Sequence, residues 1–260
     1  MRSNLVGVVV GSVVSSVVLT AAGCAESEPV APEPSAVAVE HAELGFLDVR
    51  DSVVTPWCSG VLIAPDVVLT SSHCVEHLHP NQIRFGIGTA TPTGAQGGLW
   101  QVSRVILNPD QSARVHDLAA LILEQPIPNV TPVRMVLPAA GALPSETAVV
   151  PQRLESITYS YVSRGERSVR TVWGGDEQKG DGAVVVVPES GKPSCECVSG
   201  AGMIDPAGNL LGLVAAGAPN VQGTPAAFCA GAFSLATVAH NQEFVAQALG
   251  ASPTAVPVVP

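Results

Sequence analysis

The sequence predicts an all-β domain built from many short strands. Of its 260 residues, 47% are hydrophobic and 13% are charged, so a large buried core is easily supplied. Valine is abundant, and 25 glycines and 22 prolines interrupt the chain at short intervals, which favours short strands over long helices. The length fits one barrel-sized or sandwich-sized domain, or at most two small ones.

Short alternating runs place the strands of this domain. From about Phe46, apolar and polar residues alternate between turn signals, as in a barrel of short strands. Such runs occupy residues 59–63, 66–70, 101–106 and 119–123. Residues 237–249 instead have helical spacing, with Val238, Val245, Ala248 and Leu249 on one face, and predict a helix near the end.

The charge of the chain excludes one class of partner. The formal net charge is −10 at pH 7, so the surface offers no electrostatic footprint for nucleic acid. Anionic lipid head groups would repel it as well. A link to a membrane must therefore come from something other than a basic patch.

The amino terminus predicts export and lipid anchoring. Arg2 is followed by an uncharged apolar stretch over residues 5–20, as in a signal peptide over residues 1–23. The small residues before Cys24 resemble a bacterial lipobox, which implies that Cys24 is acylated. An ordinary cleaved signal and an uncleaved membrane span over residues 5–25 are the alternatives. Acylation of Cys24 would leave five cysteines and hence an odd thiol.

The segments that flank the domain differ from it in composition. Residues 24–45 are acidic and proline-rich and predict an extended tether, which would hold the domain away from a membrane. The domain itself is expected over residues 46–250, and residues 251–260 form a tail of proline and valine. The expected location is therefore the cell envelope, as an exported lipoprotein facing the periplasm or the exterior.

The first chemical motif surrounds His73. Residues 58–65 and 67–75 resemble the chymotrypsin/trypsin family of serine proteases (peptidase S1), in which a Leu-Thr-Ala-Ala-His-Cys segment carries the catalytic histidine. The resemblance implies a disulfide between Cys58 and Cys74, which would hold the imidazole in one orientation. A structural histidine is one alternative. A metal site is another, from the cluster His73, Glu76, His77 and His79.

The second motif supplies a carboxylate. Asn108-Pro109-Asp110, followed by residues 115–123, resembles the family's His-Pro-X and Asn-Asp-Ile-Ala-Leu-Leu segments. The resemblance implies that Asp117 accepts a hydrogen bond from one ring nitrogen of His73 and stabilises the imidazolium. An aspartate that opens a strand for reasons of turn geometry is the alternative.

The third motif supplies the nucleophile. Residues 195–203 align with the family's Cys-X-Gly-Asp-Ser-Gly-Gly-Pro-Leu segment and place Ser199 as the nucleophile. The backbone amides of Cys197 and Ser199 would then form the oxyanion hole. By the same resemblance Cys195 pairs with Cys229, and pairing of Cys197 with Cys229 remains open. Cys197 could itself be the nucleophile only with a histidine at its sulfur.

Two residues depart from that pattern. Cys197 stands where the family has a glycine, and Val198 stands where it has the aspartate that receives the new amino terminus after zymogen cleavage. No Ile-Val-Gly-Gly-like start occurs near residue 45, so both ends of that ion pair are absent from the sequence. Activation by cleavage is therefore not expected, and loss of turnover is a real alternative.

The resemblance also implies a substrate pocket. Pro193 aligns with its floor, and Ala215, Ala216 and Gly217 align with its wall. No acidic residue stands there, so cleavage after Lys or Arg is not expected, and a small or apolar side chain fits better.

Together the motifs predict a trypsin-like double six-stranded β-barrel with a C-terminal helix. The expected function is a membrane-anchored serine endopeptidase that uses His73, Asp117 and Ser199. It needs no cofactor and no metal, binds a protein or peptide substrate but no nucleic acid, and acts as a monomer. The alternative is a catalytically impaired pseudoprotease that serves as a binding or regulatory domain.

Overall fold

A computed structural model describes residues 41–50, 56–110, 114–135, 152–159, 167–177, 184–188, 199–217 and 233–252. In strands β10, β11 and β12 below, only the backbone is described. Every described residue belongs to the larger of the chain's two units, residues 36–260. The predicted signal, Cys24 and most of the tether lie outside this range. Within the described residues, no helix is long and apolar enough to span a membrane.

The N-terminal half of the domain forms a closed barrel of six antiparallel strands, in the order β1-β2-β3-β8-β7-β4. A two-stranded ribbon, β5 and β6, lies between β4 and β7 in sequence. The strands are β1 (Leu44–Val49), β2 (Pro56–Ala64), β3 (Val67–Thr70), β4 (Ile83–Ile87), β5 (Ala90–Thr91), β6 (Gly94–Ala95), β7 (Gly98–Leu107) and β8 (Ala119–Leu123).

The C-terminal half forms a second sheet of seven strands. Six of them close a ring, because β13 pairs with both β10 and β14, and β9 adds to β14 in parallel. The strands are β9 (Arg134–Met135), β10 (Gln152–Tyr159), β11 (Arg167–Glu177), β12 (Val184–Pro188), β13 (Gly202–Ile204), β14 (Asn209–Gly217) and β15 (Phe233–Thr237), and helix α1 (Gln242–Gly250) follows. This confirms the predicted all-β fold of two barrels and a C-terminal helix.

Three strands of the first barrel, β2, β3 and β8, have buried apolar side chains on both faces. Leu62, Val68 and Leu121 point into a cluster that fills the first barrel. Their chain neighbours, such as Val61 and Leu69, join a second cluster that includes residues of β13, β14, β15 and α1. Because side chains alternate along a strand, burial of both faces requires a continuous apolar run, as the fully buried β3 and β8 show.

The four predicted strand runs coincide with β2, β3, β7 and β8, except that Asp66 lies in the turn before β3. The barrel itself begins at Leu44, which is buried and pairs with Val61, slightly before the expected start of the domain at residue 46.

The C-terminal helix begins later than predicted. The helical spacing over 237–249 predicts a start at Thr237, but Thr237 ends β15 and α1 begins at Gln242. Phe244, Val245 and Ala248 are the buried face of this short helix. Val238 is also buried, but it lies in the turn between β15 and α1 and so imitates the helical repeat without belonging to it.

Candidate active site

Strand register brings His73 and Asp117 to one edge of the first barrel. Thr70, the last residue of β3, pairs with Ala119, the first residue of β8. The chain leaves β3 into a single 3-10 turn, Ser72–Cys74, and enters β8 from Asp117 and Leu118. His73 and Asp117 therefore meet although they are 44 residues apart in sequence.

The two side chains form a short contact. Nδ1 of His73 lies 2.6 Å from Oδ2 of Asp117, and the backbone N–H of His73 donates to Oδ1 of Asp117 at 3.0 Å. An ionised carboxylate can only accept, so Nδ1 carries the proton and Nε2 is the basic nitrogen. The His73 side chain is 43% exposed and the Asp117 side chain 15%, so the imidazole can reach a substrate while its partner is shielded.

Each group perturbs the other. The hydrogen bond to Asp117 raises the pKa of His73 above its ordinary value of 6.5; burial opposes the rise, and the negative charges of Asp117 and Glu76 add to it. Burial pushes the pKa of Asp117 upward, but hydrogen bonds from His73 and Ser72 outweigh burial and hold that pKa below its ordinary value of 3.8. Asp117 is therefore the ionised carboxylate of the pair, and it makes the neighbouring His73 a stronger base.

A disulfide holds the turn that carries His73. Cys58 of β2 is bonded to Cys74, with 6.3 Å between their Cα atoms, as the resemblance implied. The indole N–H of Trp57 donates to the carbonyl oxygen of Cys74 at 3.2 Å. The turn is thus fixed to β2 by a covalent bond and a hydrogen bond, both beside the imidazole.

The start of α1 supports the segment that leads to Asp117. The amide nitrogen of Asn241 donates to the carbonyl oxygen of Val115 at 2.7 Å, and its Oδ1 accepts from the Asn108 side chain at 2.9 Å. Nδ1 of His116 lies 3.0 Å from the same Oδ1. Asn241 is buried, and it interrupts the apolar repeat of residues 237–249. These hydrogen bonds explain why a polar residue is found there.

Backbone hydrogen bonds join Ser199 to β2 and its neighbour Gly200 to β14. The N–H of Ser59, next to Cys58, donates to the carbonyl oxygen of Ser199 at 2.8 Å. The N–H of Gly200 donates to the carbonyl oxygen of Val214 at 2.8 Å, and the hydroxyl of Ser71 donates to that same oxygen at 2.8 Å. The segment before His73 and the segment after Ser199 therefore share one acceptor.

Gly200 is required by this arrangement. Its φ is +78°, and a Cβ there would overlap the carbonyl oxygen of Ser59 and lie 2.6 Å from Oγ1 of Thr70. We expect Gly200→Ala to lower the free energy of unfolding by about 2–4 kcal/mol, from the left-handed backbone and the overlap together. Urea denaturation measures this.

Gly208→Ala is the matched control for that change. Gly208 has a φ of +81°, but the nearest atom to its added Cβ is the Arg134 side chain at 3.4 Å. Gly208→Ala should therefore lower the free energy of unfolding by about 1 kcal/mol, which is the cost of the left-handed backbone alone. Equal losses in the two variants would contradict the close packing of Gly200 against β2.

Within the described residues, no hydrogen bond joins Nε2 of His73 to the hydroxyl of Ser199; Nε2 lies 3.7 Å from Sγ of Cys74. The only group there whose atoms are close enough to share a metal ion is Cys58, His73 and Cys74. Cysteine binds a metal as a thiolate, and both sulfurs of this group are already bonded to each other in the disulfide. The group therefore lacks the thiolate ligands of a metal site. The alternative cluster of His73, Glu76, His77 and His79 is not such a group.

Several predicted site residues fall outside the described part of the chain. They are Pro193, Cys195, Cys197, Val198 and Cys229, so the Cys195–Cys229 pairing and the Cys197 amide stay predictions. Of the pocket wall, Ala216 and Gly217 are described by their backbone in β14. Ala215 is fully buried in the apolar cluster, so its side chain does not line a surface that a substrate could contact.

Sequence reasoning missed Ser72. Its hydroxyl donates to Oδ1 of Asp117 at 2.6 Å. One signal was available: the chain has Ser71-Ser72 where the segment it resembles has two alanines.

Comparison with known proteins gives a consistent result. A family model described as Trypsin matches residues 35–238. A vitellin-degrading protease of Bombyx mori is 26% identical over 144 residues, which are 53% of this chain and 48% of that protein. The chain thus aligns with about half the length of this curated relative.

Solved structures share the fold at low identity. Human heparin binding protein superposes with a TM-score of 0.63 at 17% identity, covering 84% of this chain and 96% of that one. Kallikrein-related peptidase 10, in a complex with Zn²⁺, gives 0.60 at 15% identity over 82% and 97%. Neuropsin from mouse brain gives 0.59 at 16% identity over 80% and 94%. At these identities the likeness concerns the fold alone.

Proposed function

The chain belongs to the trypsin family of serine proteases, and from that premise we propose that it is a serine endopeptidase whose nucleophile is Ser199. His73 is the general base and Asp117 orients it. The observation that carries the proposal is the contact of 2.6 Å between Nδ1 of His73 and Oδ2 of Asp117. Such a contact fixes the ring tautomer in which Nε2 is free to take a proton.

The proposed reaction follows from these roles. The Ser199 hydroxyl attacks the peptide carbonyl carbon while its proton passes to Nε2 of His73, and the carbonyl oxygen becomes an oxyanion. The imidazolium is stabilised by Asp117 and returns the proton to the leaving amine. Water then hydrolyses the acyl-enzyme by the same sequence. The backbone amides of Cys197 and Ser199 are proposed to hold the oxyanion, and one such donor is worth about 10²–10³-fold in rate.

The proposed specificity excludes basic side chains. No acidic residue stands at Pro193, Ala215, Ala216 or Gly217, so nothing at these positions would pair with Lys or Arg. We propose cleavage after small or apolar residues. The substrate is a protein or peptide, and the enzyme is exported, anchored to a membrane through a lipid on Cys24, and monomeric.

The pH dependence tests the role of His73. Only neutral His73 can take the serine proton, so kcat/KM should rise with pH and reach half its plateau above pH 6.5, because Asp117 raises the pKa of His73. Asp117, with its pKa lowered, stays ionised throughout this rise. A pH profile of kcat/KM measures the midpoint.

A single charge should move that midpoint. Glu76 raises the pKa of His73 through its charge, so Glu76→Gln should lower the midpoint, most clearly at low ionic strength. Glu124→Gln removes an exposed carboxylate directly after β8 and should leave the midpoint unchanged. A midpoint below 6.5 in the unaltered protein would contradict the rise of the His73 pKa that Asp117 is expected to cause.

Peptide cleavage tests the function as a whole. The full-length chain is incubated with a diverse peptide mixture, and new termini are identified by mass spectrometry, with and without a serine-reactive sulfonyl fluoride. We expect inhibitor-sensitive cleavage after small or apolar residues. Cleavage confined to Lys and Arg would overturn the specificity, and an absence of cleavage by folded protein would overturn the function.

The second candidate function is a binding or regulatory domain that keeps the fold without turnover. One observation favours it: within the described residues, Ser199 and His73 are not joined by a hydrogen bond. The substitutions at Cys197 and Val198 point the same way. Absence of cleavage together with normal folding is the result this candidate expects.

A further inference from the structure

Ser72 is a buried serine at the first position of the turn that carries His73. Only 3% of its surface is exposed, so its hydroxyl must find an acceptor inside the protein. Its backbone carbonyl is occupied by the N–H groups of Val75 and Glu76, both at 2.9 Å. The hydroxyl donates to Oδ1 of Asp117 at 2.6 Å, a length typical of a hydroxyl bonded to a carboxylate.

The two oxygens of Asp117 have separate partners. Oδ1 accepts from the Ser72 hydroxyl and from the His73 backbone N–H, while Oδ2 faces Nδ1 of His73. Two donors from one turn therefore hold one oxygen, which leaves the other aimed at the ring. Without the hydroxyl, Oδ1 keeps a single backbone donor at 3.0 Å, and the carboxylate can turn about its side-chain bonds.

The neighbouring serine shows that this placement is specific. Ser71 donates its hydroxyl to the carbonyl oxygen of Val214 in β14, whereas Ser72 donates to Asp117. Adjacent hydroxyls thus bind the turn to the second sheet and to the carboxylate respectively. A buried hydroxyl can be satisfied by a backbone carbonyl, as that of Ser71 is. The Ser72 hydroxyl instead bonds to the carboxylate that orients His73.

We propose that Ser72 is a positioning residue: its hydroxyl fixes the Asp117 carboxylate so that Oδ2 orients His73, and it limits how strongly that carboxylate attracts the imidazole proton. The proposal deepens the proposed function and rests on the same site. It makes Ser72 a determinant of the basicity of His73, since a carboxylate that loses a donor becomes a stronger base toward its remaining partner.

The test reads His73 directly by NMR. The ring nitrogen signals of full-length protein are followed against pH, and the His73 signal among the six histidines is identified by its absence in His73→Asn. We expect Ser72→Ala to raise the pKa of His73 by about half a unit or more, because the charge of Asp117 is then less compensated. Ser72→Thr keeps the hydroxyl and should restore the original titration.

Activity gives a second readout. We expect Ser72→Ala to lower kcat/KM about 10-fold and to move the acid limb of the pH profile upward with the NMR value, as loss of a charge-assisted hydrogen bond predicts. Ser103→Ala is the matched control: it removes a hydroxyl that donates to Ile122 of the barrel at 2.9 Å and should change neither readout. If Ser72→Ala does not fold, Ser72→Cys, with similar volume and a weaker donor, replaces it.

The outcomes separate the two proposals. An unchanged His73 titration in folded Ser72→Ala would overturn the role of Ser72, even where the unaltered enzyme cleaves peptides. A shifted titration in a protein that cleaves nothing would support Ser72 and overturn the proposed function instead.

Discussion

Asp117→Asn is expected to lower kcat about 10⁴-fold with little change in folding, because asparagine cannot fix the productive tautomer of His73. The carboxylate now accepts from Nδ1 of His73 at 2.6 Å and from the backbone N–H of the same residue at 3.0 Å. An amide can present its NH₂ group to Nδ1, which turns Nε2 into a donor and removes the base. Steady-state kinetics on the best peptide from the cleavage mixture measures the loss.

The matched control is Asp110→Asn. Asp110 belongs to the segment that precedes Asp117, and its exposed carboxylate lies 3.4 Å from Nε2 of His116 rather than near His73. We expect this variant to keep nearly full kcat. Equal losses in both variants would mean that the segment needs negative charge in general, and the orienting role of Asp117 would then be wrong.

Ser199→Ala is expected to remove the reaction, with a fall in kcat of at least about 10⁴-fold, because loss of the nucleophile leaves only binding and oxyanion stabilisation. Its effect on stability should be small. Within the described residues the Ser199 side chain makes no hydrogen bond, and the contact to the Ser59 N–H uses its backbone oxygen. Thermal melting tests whether the variant is folded, and steady-state kinetics measure the fall in kcat.

A residual rate in Ser199→Ala near that of the unaltered protein would show that another group attacks the substrate. Cys197 is the first to examine, because it stands two residues away. Sensitivity of the residual rate to a thiol-specific alkylating reagent would identify it.

Much of the fold was predictable because its pattern is local. The short apolar runs of β2, β3, β7 and β8 are visible in the sequence itself, and glycines and prolines mark the turns between strands. The start of α1 was not predictable from spacing. Val238 is buried in a turn just before the helix, so its apolar side chain extends the helical repeat into residues that are not helical.

The family resemblance predicted the main contacts around His73 but not the residues that support them. The resemblance of residues 58–75 to the chymotrypsin/trypsin family implied the disulfide between Cys58 and Cys74, which is present. The resemblance also implied that Asp117 meets His73, and the register of β3 with β8 is the structural reason for this contact. The bond from Ser72 to Asp117 depends on a side-chain rotamer, which sequence alone does not specify.

Asn241 illustrates the same limit. In sequence it interrupts the apolar stripe of the predicted helix and has no evident purpose. In the structure it bonds the side chain of Asn108 and the backbone of Val115, 126 residues away, so it supports the segment before Asp117. A buried polar residue of this kind is explained only by partners that the fold brings from distant parts of the chain.

The most direct test of the account is covalent labelling of the full-length protein by a fluorophosphonate, read by intact mass and peptide mapping. The account predicts one adduct per chain on Ser199, lost in Ser199→Ala and strongly slowed in Asp117→Asn, since the reagent needs a serine activated by a base. Folded protein that takes up no adduct, or takes it up on another residue, would contradict the claim that Ser199, His73 and Asp117 form a working catalytic site.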